Sequence, residues 1–365
     1  MNDTVKVGII GCGKIADAHA AAIALIPDAK IVAACDQEIL MAKQFAERFG
    51  ILRYCQDVKD LFEANKPDVV HITAPPHTHF DLGRSSLKAG CHVYIEKPFT
   101  LNSSEATELL CLAEKTQLKI TVGTDEQFSH VAETMRALIE RGYLGGAPVH
   151  MEASYGYDLG DIRYAQAFLD NKDHWLRQLP GQLLHNIISH GIARIAEYLH
   201  DGPIQVVTHG STSNFLKKLG EKQLVDELRT IIIDSQGTTA YFTFTTQMRP
   251  ILKEFRVFGP KNGLVLNQDH HTLLRLRGKD YKSYLNNLIP LNDFAKQYRR
   301  NMLNNIRLFW KQDFRPKSGL KRLIELFYQS FTNQQPLPIS YREILDTVKI
   351  MDDIFAQLAT QATHG

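Results

Sequence analysis

Two short stretches carry residue types at spacings that could do chemistry. Gly11-Cys12-Gly13-Lys14-Ile15-Ala16 follows the apolar run Val5–Ile10 and opens a helical stretch. In such a turn the first glycine permits a tight bend, the second lets backbone approach a pyrophosphate, and a small third residue lets the helix pack close to a sheet. The helix N-terminus adds free N–H groups and a positive dipole end, so Gly11, Gly13, Lys14, Ile15 and Ala16 are candidate dinucleotide contacts. Asp36 stands twenty residues after Ala16, where a carboxylate can accept hydrogen bonds from ribose hydroxyls. A 2′-phosphate would face that charge, so NAD is expected in preference to NADP. The second stretch is Pro180-Gly181-Gln182-Leu183-Leu184-His185-Asn186-Ile187-Ile188-Ser189-His190. Asn186 and His190, one helical turn apart, share a face and can point together into a cleft. His185 lies about 140° around the helix from His190 and cannot chelate a metal with it as an i,i+4 pair; no metal site is expected.

The elements that must position these residues follow two rhythms. From Val5 to Gly123, short β-rich runs (VKVGII, IVAAC, DVVHIT, CHVYIE, KITVG) alternate with helical stretches, which predicts a parallel doubly wound Rossmann sheet. Beyond it comes one long helical stretch, Leu183–Leu199. Consecutive strands follow at Gln205–His209, Thr230–Asp234, Thr238–Thr245, Phe255–Phe258 and Leu264–Leu266. Strands in succession predict an α+β domain with a mostly antiparallel sheet. The expected division is 1–123 for the dinucleotide domain and 124–365 for a substrate and oligomerisation domain, with the tail helices Leu320–Phe331 and Tyr341–Leu358 in the latter.

The 365 residues suit two cores, and a charge of +2 gives no global pull toward nucleic acid or membrane. Five cysteines without a C-x-x-C pair argue against a disulfide framework. The N-terminus shows no signal-peptide pattern, and the longest apolar run, Ala20–Ile26, is far short of the roughly 20 residues that span a bilayer. A cytoplasmic protein with reduced thiols is expected.

At Ala74-Pro75-Pro76-His77-Thr78-His79 and at Glu96-Lys97-Pro98, together with the glycine turn, the chain resembles the Gfo/Idh/MocA family, the glucose–fructose oxidoreductase and inositol dehydrogenase group. The resemblance implies that Ala74, Pro75, Pro76 and His79 line the cofactor groove, that Glu96 lies near the nicotinamide side, and that Lys97 reaches the substrate hydroxyl. It also places His190 at the family's acid–base position. Asn186 stands where Asp is common, and an amide cannot supply the charge that would raise the His190 pKa. Gln127 lies near where many relatives carry an Arg or Asn that touches substrate. His185 reads equally as a substrate contact or a packing histidine, and Trp175, beside His174, as an aromatic wall for a sugar ring or as core filler.

Between Arg275 and Arg322 stand 13 Lys and Arg against three acidic residues, a net +10 that leaves −8 for the rest of the chain. Within it Phe294, Tyr298, Met302, Ile306 and Trp310 recur every four residues, with basic residues on other faces, the mark of an amphipathic helix. Its apolar face is expected to pack on its own domain or a partner subunit, with a peripheral membrane contact through 294–310 as the second reading and no nucleic-acid partner. The function expected is NAD(P)-dependent hydride transfer on a secondary alcohol of a sugar, cyclitol or nucleotide sugar by a homo-oligomer, with Lys97 and His190 acting on one hydroxyl. An NAD-recycling glycosidase or epimerase and a non-catalytic dinucleotide-binding regulator stay open as alternatives.

Overall fold

The computed structural model describes residues 4–159, 171, 174–278, 281–311 and 318–364. Its first sheet is built from β1 (Val5–Ile10), β2 (Ala29–Cys35), β3 (Tyr54–Cys55), β4 (Val69–Ile72), β5 (His92–Ile95) and β6 (Ile120–Val122). The helices between them are α1 (Lys14–Ile23), α2 (Ile39–Phe49), α3 (Val58–Asn65), α4 (His79–Lys88) and α5 (Ser103–Lys115). The strand order is β3-β2-β1-β4-β5-β6 and each pairing is parallel, the doubly wound arrangement expected from the alternating rhythm. The two-residue β3 and the helix α3 were not anticipated; a strand so short leaves no periodic trace.

The second sheet has the order β13-β12-β11-β7-β10-β9-β8. It comprises β7 (His150–Gly156), β8 (Gln205–Ser211), β9 (Glu227–Ile233), β10 (Thr239–Thr245), β11 (Lys253–Phe258), β12 (Asn262–Asn267) and β13 (Thr272–Arg277). All pairings are antiparallel except β7 with β10. The helices assigned to this part of the chain are α6 (His130–Glu140), α7 (Trp175–Gln178), α8 (Gln182–Ile187), α9 (Ser189–Ala196), α10 (Asn214–Lys218), α11 (Ser283–Asn286) and α12 (Ile289–Trp310). The last two helices are α13 (Ser318–Thr332) and α14 (Tyr341–His364).

The chain divides into two compact units, Met1–Phe128 with Lys317–Lys349, and Ser129–Pro316 with Ile350–Gly365. This differs from the expected 1–123 and 124–365 division, because Leu320, Leu323, Ile324, Phe327 and Tyr328 of α13 are buried in the same core as β1, β4 and β5. A tail helix far away in sequence thus covers the dinucleotide sheet. The expected single helix Leu183–Leu199 is two, α8 and α9, with Ile188 between them. Gly191 on α9 sits where an added Cβ would run into the Phe242 ring of β10, so the glycine lets that helix lie close to the sheet.

The amphipathic helix exists as α12, but its docking face is polar. Gln297 accepts from the Arg275 N–H at 2.7 Å and donates to its carbonyl at 3.2 Å. Asn301 does the same for Leu273, at 3.4 and 3.1 Å, and Asn305 donates to the His270 carbonyl at 3.0 Å. An edge strand otherwise presents unpaired backbone groups; here amides spaced four residues apart satisfy the β13 edge. The expectation that the apolar stripe packs on its own domain is corrected, for no residue of α12 is buried. Replacing Gln297 and Asn301 together by Leu should speed hydrogen exchange of the Leu273 and Arg275 amides by at least about fivefold, the equivalent of about 1 kcal/mol per lost bond; unchanged protection would show that the amides do not hold the edge.

Candidate functional site

The strands of the first sheet end in register. Cys35 pairs with Ile10, Ile10 with Ile72, Ile72 with Ile95, and Ile95 with Val122. The residues that follow, Asp36, Gly11, Thr73, Glu96 and Gly123, therefore emerge in one row at the carboxyl ends of the strands, where open α/β sheets bind ligands. The strand order reverses between β1 and β4, and there the backbones approach closely. Gly11 has φ +91°, and a Cβ on it would lie 2.5 Å from the Ala74 nitrogen, while Thr73 Oγ1 donates to the Gly11 carbonyl at 2.5 Å.

The glycine turn suits a dinucleotide. A Cβ on Gly13 would meet nothing within 4 Å, so a phosphate has room to reach the backbone. Gly13 caps α1 without a side-chain hydrogen bond and its carbonyl takes the Ala16 N–H at 3.0 Å, so the Lys14 and Ile15 N–H groups are those left to a ligand. Ala16 is fully buried, Ile15 is half-buried and the Lys14 side chain is exposed. Asp36 Oδ2 accepts from the Cys12 N–H at 2.7 Å and Oδ1 from the Glu38 N–H at 2.9 Å. A carboxylate has about four lone-pair positions, so each oxygen keeps capacity for a ribose hydroxyl. Cys12 is no nucleophile: burial, with the nearby Asp36 charge, pushes its thiol up to about 12.

The two proline turns flank this row. Pro75 is exposed, Pro76 buried and Ala74 half-buried. His79, only 1% exposed, bridges the turns: its Nδ1 lies 2.8 Å from the Pro98 carbonyl and its Nε2 2.9 Å from the Ala74 carbonyl. It ties the walls together from behind rather than presenting a surface to a ligand. Glu96 is 8% exposed. Burial pushes its carboxyl upward, but the hydrogen bond from His19 at 2.8 Å and the neighbouring Lys97 charge prevail and hold it below the usual carboxylate range. Lys97 is half-buried beside it.

Of the other candidates, Gln127 belongs to the first unit, is 2% exposed and accepts from Thr124 Oγ1 at 2.6 Å. Asn186 lies in the last turn of α8 and His190 in the first turn of α9, both half-buried; the His190 ring lies parallel to Tyr155 with centroids 6.3 Å apart. His185 is 2% exposed and stacked on Phe355 at 4.9 Å, which favours the packing histidine over the substrate contact. Trp175 opens α7, but its side chain lies outside the described residues. Sequence reasoning missed His19, His71 and Tyr328, which join Glu96 in the interior. The available signal was His71, a polar residue inside the apolar strand run VVHIT, since a buried polar group demands a partner.

Residues 5–124 match the family described as oxidoreductase family, NAD-binding Rossmann fold. The N-terminal domain belongs to the Gfo/Idh/MocA oxidoreductase family. D-glucoside 3-dehydrogenase of Escherichia coli K12 is 32% identical over 142 residues, 39% of this chain and 40% of that protein, so the match spans about two fifths of that relative's length. Among solved structures, UDP-N-acetylglucosamine 3-dehydrogenase from Acidithiobacillus ferrooxidans has a TM-score of 0.72 at 20% identity, covering 97% of this chain and 99% of that one. A Bordetella pertussis dehydrogenase in complex with NADH and UDP-GlcNAcA has a TM-score of 0.77 at 15% identity, covering 99% and 97%. At these identities the likeness is one of fold. The Gfo/Idh/MocA match covers the whole row from Gly11 to Gly123.

Because Asp36 braces the glycine turn and its oxygens keep room for a ribose hydroxyl, Asp36→Ala should weaken NAD binding about tenfold or more, the loss of one or two charge-assisted bonds. It should also narrow the gap between NAD and NADP. Fluorescence titration with NADH and NADPH checks both, and equal wild-type affinities would refute the assignment.

Proposed function

We propose that this protein is an NAD-dependent oxidoreductase acting on a secondary alcohol of a sugar, cyclitol or nucleotide sugar. The observation that carries the reading is the in-register row, which puts Asp36, the glycine turn and Glu96-Lys97 at the carboxyl ends of adjacent parallel strands. The backbone of Gly11–Ala16 and the Asp36 carboxylate would hold the dinucleotide, and the acidic residue favours NAD over its 2′-phosphorylated form. NAD, when bound, supplies the hydride acceptor. Lys97 Nζ orients the substrate hydroxyl and stabilises the negative charge that develops on its oxygen. His190 takes up the proton, and Asn186 holds a neighbouring hydroxyl through its amide. The three names above, a glucoside and two nucleotide-sugar ligands or substrates, fit this substrate class. Five free cysteines, three of them buried, agree with a cytoplasmic setting.

Lys97→Met and His190→Ala should each leave NADH binding nearly intact while lowering turnover by about 10²- to 10⁴-fold, the usual worth of a lost acid–base or charge-stabilising group. A panel of glycosides, inositols and UDP-sugars, followed by NADH absorbance, supplies the measurement. Stoichiometric NADH release supports a dehydrogenase, turnover without release a recycling enzyme, and wild-type rates for either variant would remove that residue from the reaction.

We propose further that α12 meets an anionic lipid surface. With its amides committed to β13, its free side carries Tyr298, Met302, Leu303, Phe309 and Trp310, each at least 54% exposed, flanked by Lys296, Arg299, Arg300 and Arg307. No described helix is long and apolar enough to cross a membrane, but a basic amphipathic helix with aromatic anchors can lie in the interface. A second copy packed isologously on this stripe would bring two +10 segments together and repel; anionic headgroups are complementary. Flotation with phosphatidylglycerol-containing vesicles should carry the protein up, neutral vesicles and 1 M salt should not, and substituting Phe309 and Trp310 by Ser should abolish it. Sedimentation as a dimer lost in the same variant, or no flotation, would overturn the assignment.

A further inference from the structure

Behind Glu96, four buried polar side chains from four elements form an unbranched run. Glu96 Oε1, at the end of β5, lies 2.8 Å from His19 Nε2 on α1. His19 Nδ1 lies 2.7 Å from His71 Nδ1 on β4, and His71 Nε2 lies 2.8 Å from the hydroxyl of Tyr328 on α13. Both histidines are 0% exposed and Tyr328 is 4% exposed. The rings are held in a box: His71 stacks on Tyr94, its neighbour in the sheet register, at 4.7 Å and 2°, while His19 meets His71 edge-on at 5.0 Å and Tyr94 at 5.1 Å. Gly123 makes room for the carboxylate, since a Cβ there would lie 2.6 Å from Glu96 Oε1. The second carboxylate oxygen accepts from the backbone N–H of Lys97 at 3.2 Å.

Donor and acceptor counting orients the run. An ionised carboxylate only accepts, so His19 carries its proton on Nε2. At the other end the Tyr328 hydroxyl donates to His71 Nε2, which puts the His71 proton on Nδ1, and His19 accepts it at its own Nδ1. Each ring nitrogen is satisfied, and all three hydrogen bonds point toward Glu96. In the reversed direction the Tyr328 hydrogen would have no acceptor among the described residues. Burial pushes His71 well below the ordinary histidine range, which agrees with a neutral ring.

We propose that His19, His71 and Tyr328 are positioning residues, which orient the Glu96 carboxylate and through it the turn that carries Lys97. The inference deepens the functional reading above, which gives Lys97 its work. The titratable groups that act on Glu96 are His19 from α1 and the adjacent Lys97, with His79 from α4 and Tyr94 from β5 also within its field. Removal of the His19 donor leaves burial to act on Glu96 without its main counterweight, so its carboxyl shifts upward. Glu96 then becomes protonated at a higher pH than in the wild type and releases its hold on the turn; above that pH it ionises again.

Two measurements test this. In protein labelled with ¹⁵N-histidine, long-range proton–nitrogen correlation spectra at pH 7 should show His19 as the neutral Nε2–H tautomer and His71 as the neutral Nδ1–H tautomer. Tyr328→Phe should shift the nitrogen resonances of both. An imidazolium at either position, the opposite tautomers, or His19 signals unmoved in Tyr328→Phe would overturn the proposal, whether or not any substrate is known. With a substrate in hand, His19→Phe should lower kcat about tenfold or more once the pH lies a unit below the raised Glu96 pKa, and progressively less as the pH rises through it and the carboxyl ionises. His19→Gln, whose amide can still donate to Glu96, should restore the wild-type profile. A pH-independent loss in His19→Phe that Gln does not rescue would show a purely structural histidine. Absence of any turnover in wild type would count against the functional reading while the tautomer result still decides this one.

Discussion

At Gly11 the backbone takes a positive φ and passes so close to the Thr73–Ala74 turn that no side chain could be inserted between them. That close approach joins the ends of β1 and β4 where the strand order reverses, and the candidate cofactor site follows from it. It brings the N-terminal end of α1 beside the proline turn after β4. Thr73 pins the approach from one side and Asp36, through the Cys12 N–H, from the other. A wider crossing would separate the phosphate-binding turn from the row of strand ends that carries Glu96 and Lys97.

Placing an ionised carboxylate in such a tightly packed location has a solvation cost that the surroundings must offset. The offset comes from one hydrogen bond to each carboxylate oxygen and from the Lys97 charge. The donor, His19, is itself buried, so its other nitrogen needs a partner, and the requirement passes along to His71 and then to Tyr328. The run ends at a tyrosine on a tail helix because a hydroxyl can donate without carrying a charge. The participation of α13 in the dinucleotide unit is in this sense a consequence of what Glu96 demands, in addition to the apolar area that the helix buries.

The second unit solves a different problem. Its sheet ends at β13, whose free edge would invite pairing with other chains. The amides of Gln297 and Asn301 occupy that edge and Asn305 the turn before it, and because they take one side of α12, the apolar stripe and its flanking basic residues face outward. One polar stripe thus decides both the protection of the sheet and the exposure of the apolar side of α12.

The glycine turn, the Asp36 spacing, the alternating strands and helices and the E-K-P turn were all legible in the amino-acid sequence. Each depends on neighbours within a turn or two, where glycine's backbone freedom, helical or strand period and strand-end chemistry act directly. The amphipathic character of α12 was legible for the same reason, but not which side docks, since Gln and Asn four apart look like solvated positions until a strand edge lies beside them. Only the tertiary structure decided that β7 runs in the middle of the second sheet parallel to β10, that Ile188 divides the helix carrying Asn186 and His190, and that α13 belongs to the first core. It alone assembled Glu96, His19, His71 and Tyr328, whose contacts join residues 77, 52 and 257 positions apart. Contacts at such separations leave no periodic trace; they are selected by which buried polar groups find partners once the chain has closed on itself.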